Sequence, residues 1–145
     1  MPMNLQETYS YLLQIRKKEY AIKRKLLRCE ELRSCMGVKA IRYDKDCARA
    51  APSDRTGEII CKIVDLEGQI ERLKQEKALL IIEIGDAIEQ LPDEKEAMIL
   101  TAYYIRRLTM EQVAAEMGYS LQHTYRLRKR GVQHISGIIG GFLDM

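Results

Sequence analysis

Apolar side chains recur along this 145-residue chain at spacings of three and four, the period that gathers them on one face of an α-helix. The cleanest run lies between Glu58 and Gln90. Alternate steps of four and three select Ile59, Ile63, Leu66, Ile70, Leu73, Lys77, Leu80, Ile84, Ala87 and Leu91, and only Lys77 among them is not apolar. Such a heptad seam keeps one stripe turned towards a partner helix. Ile60, Val64, Leu79, Ile81, Ile82 and Ile88 widen the stripe beyond what a two-stranded contact uses. The helix is therefore expected to meet more than one neighbour.

An earlier segment, about Asn4 to Met36, carries a broken stripe of Leu5, Tyr9, Leu12, Leu13, Tyr20, Leu26, Leu27 and Leu32, with Gly37 as a candidate stop. From about 38 to 57 the helical period lapses and turn formers collect around Pro52, Ser53, Asp54 and Gly57. Ser53, Asp54 or Thr56 is a candidate cap for the helix that follows. Two helices of similar length joined by that connection predict an antiparallel, coiled-coil-like hairpin over residues 1–90. The surplus apolar width predicts that hairpins also pair with each other, giving a homodimer or a higher homo-oligomer. Ile59, Ile63, Leu66, Ile70, Leu73, Leu80 and Ile84 are the residues expected to carry that association.

Pro92 and Asp93 open a different organisation. Asp93 to about Arg107 reads as one helix, with Ala97, Leu100, Tyr104 and Leu108 at core spacing. Thr109 with Gln112 three residues on forms a capping-box pattern before a short helix, Met110 to Met117, which stops at Gly118. Ser120 then caps a last helix from Leu121 to about Ile135, leaving a tail at 136–145 that is expected to pack locally or fray, with binding a partner as the alternative. A short helix, a glycine turn and a helix with a basic outer face describe a helix-turn-helix over residues 91–135; an amphipathic hairpin without a DNA role is the plainer alternative. Val113, Met117, Tyr119, Thr124 and Leu127 fall at its buried positions, and Ala114 is small where the helices approach. Thr124, Leu127, Gly131 and Ile135 turn inward along the last helix, so Gln122, His123, Arg126, Lys129 and Arg130 share its outer face.

That outer face suits the major groove, since Gln bonds adenine and Arg bonds guanine in bidentate fashion. Gln122, His123 and Arg126 are the base-reading candidates. Arg128, Lys129, Arg130, the backbone near Ser120, and Arg106 and Arg107 at the preceding turn are the phosphate candidates. His123 serves equally as an exposed polar residue with no special task.

Composition agrees with a wholly helical protein: three prolines, abundant Leu, Lys, Glu and Ala, and no strand-like alternation. The expected fold class is all-α, a long helical hairpin followed by a C-terminal helix-turn-helix. Net charge is only +3, but it is segregated. Residues 1–36 hold eight basic and four acidic side chains, residues 58–90 the reverse, and 121–135 four basic with no acid. The basic face of the first helix suits solvent as well as it suits phosphate. Cys29, Cys35, Cys47 and Cys61 form no C-x-x-C pair and lie far from His123 and His134, so free thiols rather than a metal site are expected. No cofactor is expected either. No run approaches the length of about 18 apolar residues that spans a membrane, and the N-terminus lacks a signal-peptide pattern, which predicts a cytoplasmic chain. No nucleophile–base pair, glycine-rich phosphate loop or paired-carboxylate pocket argues for an enzyme.

Residues 91 to 135, notably Ile99-Leu100, Tyr104-Ile105, Thr109 to Ala114 and Met117-Gly118-Tyr119-Ser120, resemble the fourth region of bacterial sigma factors. With Ile59 to Glu67 included, the chain resembles the RinA/ArpU-type transcriptional activators, small phage regulators of Gram-positive hosts. It departs from them with Tyr103 in place of an arginine, Arg107 in place of a turn glycine, Met110 in place of a tryptophan and Gly131 in place of an alanine. The resemblance implies a regulator that binds promoter or operator double-stranded DNA and activates late phage genes. Two other readings stay open: a small-terminase-like DNA-packaging adaptor, and a module that binds RNA polymerase with little DNA affinity.

Overall fold

The computed structural model describes residues 4–43 and 54–143, and every regular element among them is helical. In chain order these are α1 (Leu5–Leu12), α2 (Gln14–Tyr43), α3 (Asp54–Glu89), α4 (Glu94–Leu100) prolonged by a π-helical turn (Thr101–Ile105), α5 (Met110–Met117) and α6 (Leu121–Leu143). The all-α expectation holds. No helix among the described residues is long and apolar enough to cross a membrane.

Several boundaries differ from those the local pattern predicts. The first segment divides at Leu13, and α1 has its own cap. Asn4 Oδ1 accepts the Glu7 N–H at 2.8 Å, and Asn4 N–H donates back to Glu7 Oε2 at 3.4 Å. Gly37 does not stop α2, which runs on to Tyr43, because one helical glycine costs only about 1 kcal/mol relative to alanine. α3 starts at Asp54, inside the expected 38–57 connection, and residues 44–53, Cys47 and Ser53 among them, lie outside the described residues. The end of the last helix, expected near Ile135, is corrected: α6 continues to Leu143, and the expected tail packs locally up to there. Ile135 and Ile139 are buried with Leu12, and Ile138 packs on the same cluster beside Leu5. That burial offsets the helix-weakening effect of Gly137, Gly140 and Gly141.

The chain forms two compact units, one of Lys18–Glu76 and the other of residues up to Lys17 together with those from Lys77 on. In the first, α2 and α3 run antiparallel, since their side-chain partners ascend in one as they descend in the other. Lys18 Nζ meets Glu76 Oε2 at 2.7 Å, Lys25 Nζ donates to Gln69 Oε1 at 2.7 Å, and Arg33 reaches Glu67 at 3.2 Å. Exposed pairs of this kind contribute only tenths of a kcal/mol. The apolar seam of Ile22, Cys29, Leu66 and Ile70, flanked by Leu32 and Leu73, supplies the burial.

The second unit has two joined cores. One gathers Leu12 and Ile15 from the N-terminal segment, Ile84, Ala87, Ile88 and Leu91 from the end of α3 and its exit, Leu100 and Tyr104, and Val132, Ile135 and Ile139 from α6. The other gathers Ile99, Ala102, Val113 and Leu127, with Leu108, Met117 and Tyr119 against it. The adjacent residues Ile99 and Leu100 face different cores, so α4 is clasped on both sides. Asp93 Oδ1 caps α4 by accepting the Lys95 and Glu96 amides at 2.9 and 3.4 Å. At Gly131 the backbone of α6 comes so near α4 that a Cβ there would stand 3.1 Å from Leu100 Cδ1.

The seam residues are therefore spent inside the chain. Ile63, Leu66, Ile70 and Ile84 are buried, Leu73 and Leu80 pack against those clusters, and Ile59 is half-buried. Exposed apolar side chains remain on the flanks, at Tyr20, Leu27, Ile60, Val64, Leu79 and Ile82. Cys29 is a buried free thiol, and Cys35 and Cys61 are exposed and free.

Candidate nucleic-acid interface

The turn between α5 and α6 is built by local chemistry. Thr109 Oγ1 accepts the Gln112 amide at 3.1 Å, and Gln112 Oε1 accepts the Thr109 amide at 2.9 Å. That capping box starts α5. Gly118 ends it at φ 71°, ψ 29°, left-handed backbone that a Cβ resists, while Tyr119 N–H closes on Ala114 O at 3.0 Å. Ser120 Oγ then accepts the His123 amide at 3.1 Å and opens α6. Buried Thr124 donates its hydroxyl to Ser120 O at 2.9 Å, and Leu127 lies in the second core. The helix-turn-helix geometry is thus present over α5 and α6.

Once Thr124, Leu127, Gly131 and Ile135 are buried, the opposite face of α6 is fixed. Gln122, Arg126, Lys129 and Arg130 are exposed there, and among the described residues they make no hydrogen bond or ion pair. His123 is half-buried, its ring edge-on to Tyr119 at 4.9 Å. Ser120 serves as the cap and stays exposed beside them.

Three predicted phosphate residues are engaged elsewhere. Arg106 makes a two-pronged ion pair with Glu116, at 2.9 and 3.0 Å, and that hydrogen-bonded guanidinium holds the Glu116 carboxyl below its ordinary range. The pair borders a cleft lined in part by Ile88, Leu91, Ala97, Met98 and Met117, to which no residue of α6 contributes. Arg107 is held at φ 61°, the one non-glycine residue in left-handed backbone among those described, and donates to Ile105 O at 2.9 Å. Arg128 turns away from the outer face. Its guanidinium lies over the rings of Tyr103, Tyr125 and Tyr9 at 5.0, 5.2 and 5.8 Å.

Arg16, by its spacing one more cation on the basic face of the first helix, is engaged by the helix-turn-helix unit instead. It lies over the same Tyr103 ring, at 4.5 Å, and donates through Nη2 to Tyr103 O at 2.9 Å and Leu108 O at 3.3 Å. Tyr104, edge-on to Tyr103, is buried in the first core; burial pushes its phenol well above the usual range, and Arg128 and Arg16 pull the other way. Glu96, 1% exposed, meets His134 Nδ1 at 2.6 Å through Oε1. Nothing in the local pattern marks these contacts, because their partners stand 38 to 92 residues apart.

Comparison with known proteins adds one finding. Residues 87–136 match the family model of sigma-70, region 4, which covers α4, the π-turn, α5 and two-thirds of α6. No curated protein and no solved structure matches the chain. Residues 87–136 are thus similar to sigma-70 region 4 and carry the helix-turn-helix described above.

Proposed function

We propose that the protein is a sequence-specific DNA-binding transcription regulator, of the kind that activates late phage genes, and that it works as a homo-oligomer. The observation carrying the reading is the outer face of α6. Gln122 and Arg126 stand near its N-terminal end, where a recognition helix meets base edges, and Lys129 and Arg130 follow on the same exposed side with no competing partner in the described chain. Self-association draws support from apolar side chains that the in-chain cores leave exposed, Tyr20 and Leu27 on α2, Ile60 and Val64 on α3. Selecting bound duplexes from a random DNA pool with the full chain tests the proposal. A recurring motif is expected, and a pool that stays random at low salt overturns it.

A second reading, a module that engages RNA polymerase, is favoured by the cleft beside Arg106 and Glu116, where Met98 is 55% exposed among apolar and acidic lining residues. Retention of polymerase by the chain without any bound DNA would select that reading.

A further inference from the structure

We infer that the N-terminal segment, residues 4–16, is a working part of the DNA-reading unit, with Arg16 and Arg128 as positioning residues that set α6 through the ring of Tyr103. The inference rests on the DNA-reading role of α6 and extends it to a segment that lies seventy residues before the family match begins.

The two arginines come from opposite ends of the chain and converge on one side chain. Arg16 lies 4.5 Å and Arg128 5.0 Å from the centre of the Tyr103 ring. Neither has a carboxylate partner among the described residues. Two guanidiniums near a single ring repel each other unless π faces and carbonyl oxygens take up the charge, and here both are supplied. Tyr9 and Tyr125 add faces to Arg128, and the carbonyls of Tyr103 and Leu108 accept from Arg16.

Each contact ties an element that must be placed for reading. Leu108 O belongs to the stretch between the π-turn and Thr109, the cap of α5, so Arg16 fixes where the helix-turn-helix starts. Tyr103 lies within the π-turn itself. Arg128 follows two residues after the base-reading candidate Arg126, so gripping its guanidinium against Tyr9 and Tyr103 sets the rotation of α6 about its axis. Leu12 and Ile15 anchor the same segment in the core with Tyr104 and Ile135. The consequence is a division of labour on α6: Arg126, Lys129 and Arg130 face DNA, and Arg128 faces the brace.

The test uses the full chain with four variants: Tyr103→Phe, which keeps the ring; Tyr103→Leu, which removes it; Arg128→Met; and Arg16→Met. Binding is measured on a selected duplex and a scrambled one across a salt series, and amide hydrogen exchange is followed at 106–109 and 121–126. Loss of the stacked contacts should weaken the selected site about tenfold in Tyr103→Leu and Arg128→Met, with the scrambled duplex affected far less. Tyr103→Phe should behave as wild type, and the salt slope of Arg128→Met should be unchanged. Exchange at 106–109 should speed up in Arg16→Met while α3 keeps its protection. A salt slope that falls by about one in Arg128→Met identifies a phosphate contact and overturns the inference. So does an unchanged ratio of selected to scrambled affinity. If the wild type binds neither duplex, the DNA reading fails and the exchange data alone decide: unaltered exchange in Arg16→Met and Arg128→Met overturns the brace, and selective acceleration supports it. Should Tyr103→Leu not fold, the two arginine variants carry the same comparison.

Discussion

Arg107 occupies left-handed backbone, φ 61°, at the joint between the π-turn and the cap of α5. A Cβ in that region costs about 1–2 kcal/mol, of which the hydrogen bond to Ile105 O returns part. Arg107→Gly should raise stability by about 0.5–1 kcal/mol, measured by urea unfolding, since glycine removes the clash at a smaller entropic cost. A second residue-scale feature is Glu96, a carboxylate 1% exposed and dependent on His134 across 2.6 Å. His134→Ala should destabilise by about 1–3 kcal/mol, because it leaves a buried acceptor without its partner. An unchanged unfolding midpoint would contradict that dependence. Single-residue signals of this kind divide sharply in how far they can be read without coordinates. Gly118 and Thr109 act on neighbours three or four positions away, so their roles were legible. Arg128 looked like one more cation of a basic helix, and only tyrosines about 25 and 119 positions distant reveal its role.

Element boundaries show the same division. The start of α5, the start of α6 and the inward face of α6 follow from caps and period, and they stand as expected. The end of α6 was misread because its glycines are local breakers while the burial that holds it helical comes from α1. Ile139→Ala should therefore cost about 2–4 kcal/mol and should loosen α1 together with α6 in hydrogen exchange. A cost below about 0.5 kcal/mol, typical of surface positions, would contradict that packing. The heptad seam was legible as an apolar stripe with the preceding helix as its partner, and α2 covers half of it so; that α1 and α6 cover the other half was not legible. At this scale the Arg106–Glu116 pair ties the π-turn's exit to α5. The folded-state pKa of Glu116 is depressed, so the stability it adds is fully present above the unfolded carboxylate value of about 4.3 and lost as pH falls through the folded one. Melting of wild type and Glu116→Gln between pH 7 and 3 should show a small gap at neutral pH that closes in acid. The gap should also shrink with salt, both side chains being about half exposed. A gap that widens in acid would contradict the assignment.

For the molecule as a whole, we propose that one side of α6 reads base sequence while its neighbours set affinity. The most direct measurement is equilibrium binding of wild type, Arg126→Ala and Lys129→Ala to a selected duplex and a scrambled one over a salt series. Arg126→Ala should lose about 1–3 kcal/mol on the selected duplex alone and relax the preference at one base pair. Lys129→Ala should weaken both duplexes alike and lower the salt slope by about one. If both substitutions weaken both duplexes equally, or neither alters binding, α6 does not read DNA as described.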